Sequence, residues 1–166
     1  MHVCRWHAAR TMAELNMGSF HEYMGEYRKQ LEKGAIKAAY RGLMEYFNAL
    51  RLHFKNIYPD YVVSGSVYHG YMDMTYFSFF PKSLKRRKWK VAIVFLHDAF
   101  RFVVWLVGYN RTVQTQYWKL FRERNWKKYH IATPAKNVDA ILDHTLIDNP
   151  NFRDLDALPI KSREGH

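Results

Sequence analysis

Apolar residues recur every three or four positions in two consecutive stretches, which predicts two N-terminal helices. Ser19 and Glu22 have the spacing of a capping box at the start of the first helix, and Gly34 interrupts the pattern. Pro59 ends the second helix because proline cannot continue the hydrogen-bond ladder. The apolar stripe of the first helix is Phe20, Tyr23, Met24, Tyr27 and Leu31. The stripe of the second, which we expect to be core, is Ile36, Ala39, Tyr40, Leu43, Met44, Phe47, Leu50, Phe54 and Ile57.

After Pro59 the helical period gives way to four short apolar runs, which we interpret as β-strands. They span residues 61–67, 71–80, 89–96 and 99–107. The links between them are short, whereas parallel strands would require crossover connections of a dozen or more residues. The sequence therefore predicts a four-stranded antiparallel meander, with His97-Asp98 in its last hairpin turn.

The C-terminal third returns to a helical spacing, which predicts two more helices. Asn110 is the predicted N-cap of a helix that ends near Glu123. Thr133-Pro134 predicts the start of a last helix and Asn149-Pro150 its end. The predicted buried face of this last helix consists of Ile141, Leu142, Leu146 and Ile147. The predicted fold class is α+β: two N-terminal helices, a four-stranded antiparallel meander and two C-terminal helices, in two layers.

The length of 166 residues favours a single α+β domain, which we place at residues 18–158. Residues 1–17 follow neither period and are interpreted as a disordered extension, and residues 159–166 as a flexible tail. The single cysteine, Cys4, excludes an internal disulfide and favours a cytoplasmic location. No apolar stretch approaches the roughly 20 residues of a membrane-spanning helix, so no membrane partner is predicted.

The formal net charge of +11 attracts polyanions without selecting one, so its distribution matters more than its total. Basic residues cluster with aromatic rings, and a single strand of nucleic acid requires both, for its phosphates and its bases. The predicted anion-binding residues are Lys82, Lys85, Arg86, Arg87, Lys88, Lys90, Arg101 and Arg111. The predicted stacking residues are Trp89, Tyr117, Trp118 and Trp126. A solvated turn and a solvated helix face would give the same pattern, and no glycine-rich phosphate loop is present.

Catalytic candidates are sparse. His69, Asp73 and His97 could form a pocket on the sheet, and Asp73 is an unusual polar residue in an apolar strand. If Asp73 faces the core it must be paired, and Arg101 or a lysine is the expected partner. A nuclease-like magnesium site lacks its second carboxylate, because Lys88 stands where that carboxylate is needed. We therefore predict no metal and no cofactor.

Four segments carry a resemblance to a known family. They are EYRKQLEKG at 26–34, the block at 53–85 containing YHGYMDMTYFSFFPKSLK, the run at 95–118 and NPNFRDLDAL at 149–158. Over about residues 20–158 the chain resembles a family of uncharacterised bacterial proteins, described only as a domain of unknown function. A fainter resemblance, through Pro59-Asp60 between helix and sheet, is to small α+β domains grouped with iron-chaperone-like proteins. The first resemblance implies no mechanism, and the second implies a sheet that binds a ligand or protein.

These observations lead to three function hypotheses. The first is a cytoplasmic binding module for an anionic partner, which would be nucleic acid, a nucleotide or an acidic protein. The second is a small enzyme with a His/Asp/Tyr pocket on the sheet. The third is an interaction protein that forms homo-oligomers, such as a homodimer, through aromatic surface.

Overall fold

The computed structural model describes residues 19–82, 86, 88–132 and 140–155. These ranges contain three helices and six strands, and the chain divides into two compact units, with the boundary between Gly42 and Leu43 in the sequence. The helices are α1 (Phe20–Lys33), α2 (Ala35–Ile57) and α3 (Arg111–Glu123). The strands are β1 (Tyr61–Val63), β2 (Met74–Pro81), β3 (Trp89–Leu96), β4 (Arg101–Gly108), β5 (His130–Ile131) and β6 (Ala140–Asp148).

The first unit contains α1 and the first two turns of α2, and its helix ends follow the predicted signals. The backbone N–H of Ser19 donates to the Glu22 carboxylate, and the Glu22 N–H donates to the Ser19 carbonyl at 2.9 Å. The bond from the Ser19 N–H to the Glu22 side chain is the one that the predicted capping box requires of Glu22. Gly34 ends α1 in the left-handed region, with φ 78°, and its N–H donates to the Leu31 carbonyl at 3.2 Å. No residue of α1 is buried, although its apolar residues recur at the three- and four-residue steps typical of a helix that packs one face.

The second unit is built on an antiparallel sheet with the strand order β1-β2-β3-β4-β6-β5. The first four strands are neighbours in chain order, and β3 has the bounds that the sequence predicts. β1 ends at Val63 instead of residue 67, and β2 starts at Met74 instead of residue 71. The intervening loop contacts the sheet through an isolated bridge between Tyr68 and Tyr76 and through a hydrogen bond from the Ser64 N–H to the Ser78 carbonyl at 2.8 Å.

The predicted fold class is wrong in its C-terminal part, because the last predicted helix is replaced by strand β6. β6 pairs with β4 in an antiparallel register, and β5 pairs with β6. The register shifts twice, so that Ile141 and Leu146 are extra residues without a partner in β4. Each bulge interrupts the alternation of a strand. Apolar residues at 141, 142, 146 and 147 therefore imitate a helical period, and the sheet has six strands instead of four.

The core of the second unit lies on both faces of the sheet. On one face the second half of α2 buries Phe47 and Leu50 against Phe77 and Phe102, and the Phe47 and Phe102 rings stack at 5.8 Å. Each such side chain contributes about 1.5–3 kcal/mol by leaving water. The opposite face has its own buried set: Ala92, Val94, Val103, Trp105, Ala132 and Ala140. Burial on both faces explains why β3 and β4 are apolar almost throughout.

The predicted apolar stripe of α2 is core only from Leu43 to Phe54, because Ile57 at its end is 49% exposed. Leu43 and Phe54 pack on the buried cluster around Phe47, whereas Ile36 is 38% exposed. The predicted start of α3 is confirmed, because the Asn110 side chain accepts a hydrogen bond from the Val113 N–H at 2.9 Å. In the described part of the chain, no helix combines the length and the apolar character that crossing a membrane requires.

Candidate functional site

The turn between β2 and β3 presents basic side chains to solvent. Lys82, Arg86 and Lys88 are exposed, while Lys85 and Arg87 lie outside the described residues. The Lys82 ammonium donates to the Pro59 carbonyl at 3.2 Å, which ties one end of the turn to the end of α2. Three of the predicted anion-binding side chains are therefore open to solvent here.

The other end of this turn is joined to the segment that precedes α3. The Tyr109 N–H donates to the Lys88 carbonyl at 2.9 Å, and the Lys90 ammonium lies 4.8 Å from the centroid of the Tyr109 ring. Arg111 follows as an exposed residue in the first turn of α3. Lys88, Lys90 and Arg111 thus come from two chain segments that the fold holds side by side. The predicted cation Arg101 lies at the opposite end of the β3–β4 pair, where it faces Leu96 in the register, and is not part of this group.

A chain of aromatic rings continues from this turn along α3. The Trp89 ring meets Tyr117 edge to face at 4.6 Å and lies 6.2 Å from Phe121. Phe121 in turn lies 5.4 Å from Trp126. Trp89 and Tyr117 are half-buried in these contacts. They were predicted as stacking platforms for a ligand, but here they pack α3 against the start of β3.

The remaining two predicted stacking residues differ from each other. The indole N–H of Trp118 donates to the Ala132 carbonyl at 2.7 Å, and the Arg122 guanidinium covers the ring at 5.1 Å. Trp126 is 40% exposed at the end of the ring chain. Of the four predicted stacking rings, Trp126 is the one most open to a ligand.

Trp126 lies at the rim of an open depression of about 840 Å³. One wall comes from the segment between α3 and β5 together with β5 itself, and the other from the middle of β6. The lining residues are Trp126, Lys127, Lys128, Tyr129, His130, Ile131, Asp143, His144 and Thr145. We call this set the 126–145 depression.

Pairing between β5 and β6 fixes the polar side of the 126–145 depression. His130 lies opposite Asp143 in the register, and its Nδ1 is 2.9 Å from the carboxylate. Tyr129 meets His144 edge to face at 5.8 Å, and the Lys128 ammonium is 5.7 Å from the Tyr129 ring centroid. Among the described lining residues Asp143 is the only carboxylate, so the two lysines outnumber the acidic groups here.

An apolar recess of about 280 Å³ adjoins the 126–145 depression and shares Tyr129, Asp143 and His144 with it. Its other walls come from β3, β4 and β6. They are Val91, Val104, Leu106, Leu142 and Leu146. Charged and aromatic groups at a rim next to an apolar recess give a surface that can contact both the phosphate and the base of a nucleotide.

Sequence reasoning found Trp126 but missed Tyr129 and His144. Tyr129 directly follows the Lys127-Lys128 pair, and a basic pair between two rings was a signal available in the sequence. His144 had no comparable signal, because its segment was predicted as a helix. Only the strand pairing of β6 places His144 beside Tyr129.

The predicted catalytic residues His69 and His97 are connected through Thr75, a residue that sequence reasoning did not single out. Thr75 is fully buried, and its hydroxyl donates to the His69 carbonyl at 3.1 Å. The same oxygen lies 3.0 Å from His97 Nε2. Since the Thr75 hydroxyl donates its proton to the His69 carbonyl, we infer that His97 Nε2 carries a proton and donates it to the Thr75 oxygen. The arrangement joins the loop before β2 to the β3–β4 turn.

The sequence predicted Asp73 in the middle of a strand, but this position is wrong, because β2 starts only at Met74. Asp73 is exposed in the turn before β2, where its Oδ1 accepts from the Tyr71 N–H at 2.9 Å and the Met74 N–H at 2.7 Å. These two bonds lower the pKa of the carboxyl. A pairing with Arg101 or a lysine was expected only if Asp73 faced the core, and it does not; Arg101 pairs with Asp148 at 3.4 Å. Asp73 therefore shapes the turn with its carboxylate.

Burial lowers the pKa of the His97 imidazole, and the nearby charges of Asp73 and Asp98 oppose this shift only in part. The neutral ring agrees with its role as a donor to Thr75. Within the described ranges, no three His, Cys, Asp or Glu side chains are grouped so that they could hold a metal ion. The three predicted catalytic residues thus belong to a buried polar bridge, at His69 and His97, and to a hydrogen-bonded turn, at Asp73.

Comparison with known proteins adds a family but no relative of known activity. Neither the curated proteins nor the solved structures contain a match to this sequence. One family model matches residues 20–163, which is most of the chain and agrees with the resemblance seen in the sequence. The chain therefore belongs to the family described as domain of unknown function DUF7000.

Proposed function

We propose that this protein is a binding module for a polyanion, with single-stranded nucleic acid as the partner and the 126–145 depression as the contact surface. The observation that carries the proposal is the position of two exposed rings, Trp126 and Tyr129, on either side of Lys127 and Lys128. Single-strand binders combine cations that follow the phosphates with rings on which successive bases stack.

The charge of the surrounding surface supports the proposal. From the start of α3 to the lysine pair, basic residues outnumber Glu123, the only acidic residue there, by six to one. All six are exposed: Arg111, Lys119, Arg122, Arg124, Lys127 and Lys128. A concentration of one sign of charge attracts phosphates over several ångströms and raises the rate of encounter.

The geometry favours a single strand over a duplex. A duplex hides its base faces in the stack, whereas an unpaired strand can place a base on each exposed ring. Trp126 and Tyr129 are 40% and 41% exposed, so each has an accessible face. The apolar recess that shares Tyr129 offers a further surface for the apolar face of a base.

Fluorescence anisotropy with labelled single strands and duplexes of equal length tests the proposal. We expect the single strand to bind more tightly at low salt. Tyr129→Ala and Trp126→Ala should each weaken binding about 5- to 150-fold, because stacking of one base contributes about 1–3 kcal/mol. Tyr71→Ala is the matched control for Tyr129→Ala, since Tyr71 is 91% exposed and lies elsewhere. Equal losses in the two tyrosine variants, or no binding at low salt, would reject the proposal.

A further inference from the structure

A small cavity of about 190 Å³ opens between β2, β3 and β4, on the face of the sheet opposite the one that the second half of α2 covers. The strand register explains its position. Ala92 on β3 lies opposite Ser78 on β2 and opposite Trp105 on β4. Because alanine and serine are short, the sheet surface is low at this point, whereas the large side chains of Tyr76 and Trp105 stand beside it. We call this space the Lys90 cavity, after its charged lining residue.

Lys90 is the one charged side chain among the described residues that line this cavity. It comes two residues before Ala92, so both side chains leave the same face of β3. Lys90 is half-buried, and its ammonium lies 4.8 Å from the centroid of the exposed Tyr109 ring. No ion pair within the described residues includes Lys90. A half-buried cation among apolar and aromatic walls, without a carboxylate partner, favours an anionic ligand.

The other walls of the Lys90 cavity suit a flat apolar group. Ala92 and Val107 provide apolar surface, and Tyr76 and Trp105 provide aromatic surface. Ala92 and Trp105 are buried, so the fold already shapes this part of the cavity. Aromatic rings gain from edge-to-face and offset contacts beyond the burial of their area. The lining therefore favours a ring that carries a negative charge.

The volume of the Lys90 cavity limits the size of this ligand. A cavity of about 150 Å³ is sufficient for one benzene molecule. The 190 Å³ available here therefore accommodate one ring and a small charged group. Pockets for larger ligands measure about 300–1,000 Å³, so a whole nucleotide does not fit.

We propose that the Lys90 cavity binds a small aromatic carboxylate with a single ring. In the proposed complex the carboxylate accepts a charge-assisted hydrogen bond from the Lys90 ammonium. The ring lies on Ala92, between Tyr76 and Trp105, and the hydroxyl of Ser78 can donate a second hydrogen bond to the carboxylate. The cavity shares no lining residue with the 126–145 depression. The two proposals therefore stand or fall separately.

Saturation-transfer difference NMR with the full chain at physiological salt tests the proposal with three probes. Benzoate has the ring and the charge, benzyl alcohol has the ring alone, and acetate has the charge alone. We expect saturable binding of benzoate that is about tenfold tighter than that of benzyl alcohol, because a hydrogen bond to an ionised group is the stronger one. Acetate should show no saturable binding, since it lacks the ring.

Two lysine variants show whether the charge acts at this place. Lys90→Met keeps an apolar stem but removes the ammonium, so it should weaken benzoate binding about tenfold or more and leave benzyl alcohol unchanged. Lys88→Met is the matched control, because Lys88 is exposed two residues away and does not line the cavity. It removes the same charge and should keep the wild-type affinity for benzoate.

A third variant tests the place of the ring. Ala92→Val adds two methyl groups between Tyr76 and Trp105 and should weaken the binding of benzoate and benzyl alcohol alike. Thermal denaturation checks that each variant is folded, and the two lysine variants decide the question even if Ala92→Val is unstable. The proposal is overturned if benzoate shows no saturable binding, if benzyl alcohol binds the wild type as tightly as benzoate, or if the two lysine variants lose equal affinity.

Discussion

Trp89 at the start of β3 and Tyr117 in α3 meet edge to face, with their ring centroids 4.6 Å apart. Together with Phe121 they hold α3 against the sheet, and Phe121 also contacts Trp126. The packed rings in this series have a different role from the exposed ring at its end. Trp89 stabilises the fold that presents the basic segments, whereas Trp126 remains available to a ligand.

Substitution of the two tryptophans should separate these tasks. Trp89→Ala is expected to lower the free energy of unfolding by about 3 kcal/mol, because it removes a large packed ring. Trp126→Ala should change it by less than about 1 kcal/mol, since Trp126 is 40% exposed, but should weaken binding to a single strand. Urea denaturation followed by circular dichroism measures both. Similar losses of stability in the two variants would contradict this division.

Gly70 is required by the turn before β2. Its φ is +68°, and a Cβ there would lie 2.0 Å from the Met74 carbonyl oxygen and 2.6 Å from Asp73 Oδ1. Gly70→Ala should therefore destabilise the protein by about 2 kcal/mol or more through strain and a distorted turn. Gly65→Ala is the control, because a Cβ at that position meets nothing within 4 Å. The thermal denaturation midpoint of Gly70→Ala should lie clearly below that of Gly65→Ala. The reverse order would refute the requirement for glycine in this turn.

The buried hydroxyl of Thr75 bridges the loop at His69 and the turn at His97. Thr75→Val keeps the shape of the side chain but leaves the His69 carbonyl and the His97 ring without this partner. A cost of about 1–3 kcal/mol in unfolding free energy is expected, since unsatisfied buried groups are expensive. Thr75→Ser keeps the hydroxyl and should cost less in the same urea titration. A valine variant as stable as the serine variant would show that the bridge contributes nothing.

The stability of the protein should fall as the pH drops below about 6.5, in part because of His97. Burial lowers the pKa of folded His97 below the usual 6.5. Between the folded pKa and about 6.5 the unfolded chain binds more protons, so the free energy of unfolding rises with pH in that window and levels off above it. His97→Gln should flatten this dependence between pH 5 and 7.5.

The control for the pH experiment is His21→Gln, in an exposed position on α1. Denaturation midpoints at a series of pH values should show the wild-type slope in this variant. If His97→Gln keeps the full wild-type slope, protonation of His97 is not the cause of the dependence.

Local signals in the sequence predicted the three observed helices, because their determinants are close in the chain. Ser19 with Glu22, Gly34 and Asn110 each act on a backbone group three or four residues away. β6 was missed because its character depends on pairing with β4, about forty residues earlier. The two bulges at Ile141 and Leu146 also removed the alternation by which a strand is recognised.

The candidate site was predicted only in part for the same reason. The sequence showed Trp126 and the basic residues as a basic and aromatic cluster, but it did not show which of their side chains are exposed. Trp89 and Tyr117 have the same ring chemistry as Trp126, and only tertiary packing shows that they are occupied. His144 reaches the site through the register of β5 and β6, which no local pattern encodes.

The salt dependence of single-strand binding tests the central claim most directly. Two double variants remove the same charge: Lys127→Ala/Lys128→Ala at the 126–145 depression, and Lys37→Ala/Lys55→Ala at exposed positions of α2. Each phosphate contact contributes about 0.7 to the slope of log affinity against log salt for single strands. If the 126–145 depression binds the strand, the slope should be shallower by about 1.4 for the first variant and unchanged for the second. Equal slopes in both variants would show that net charge, and not this surface, attracts the strand.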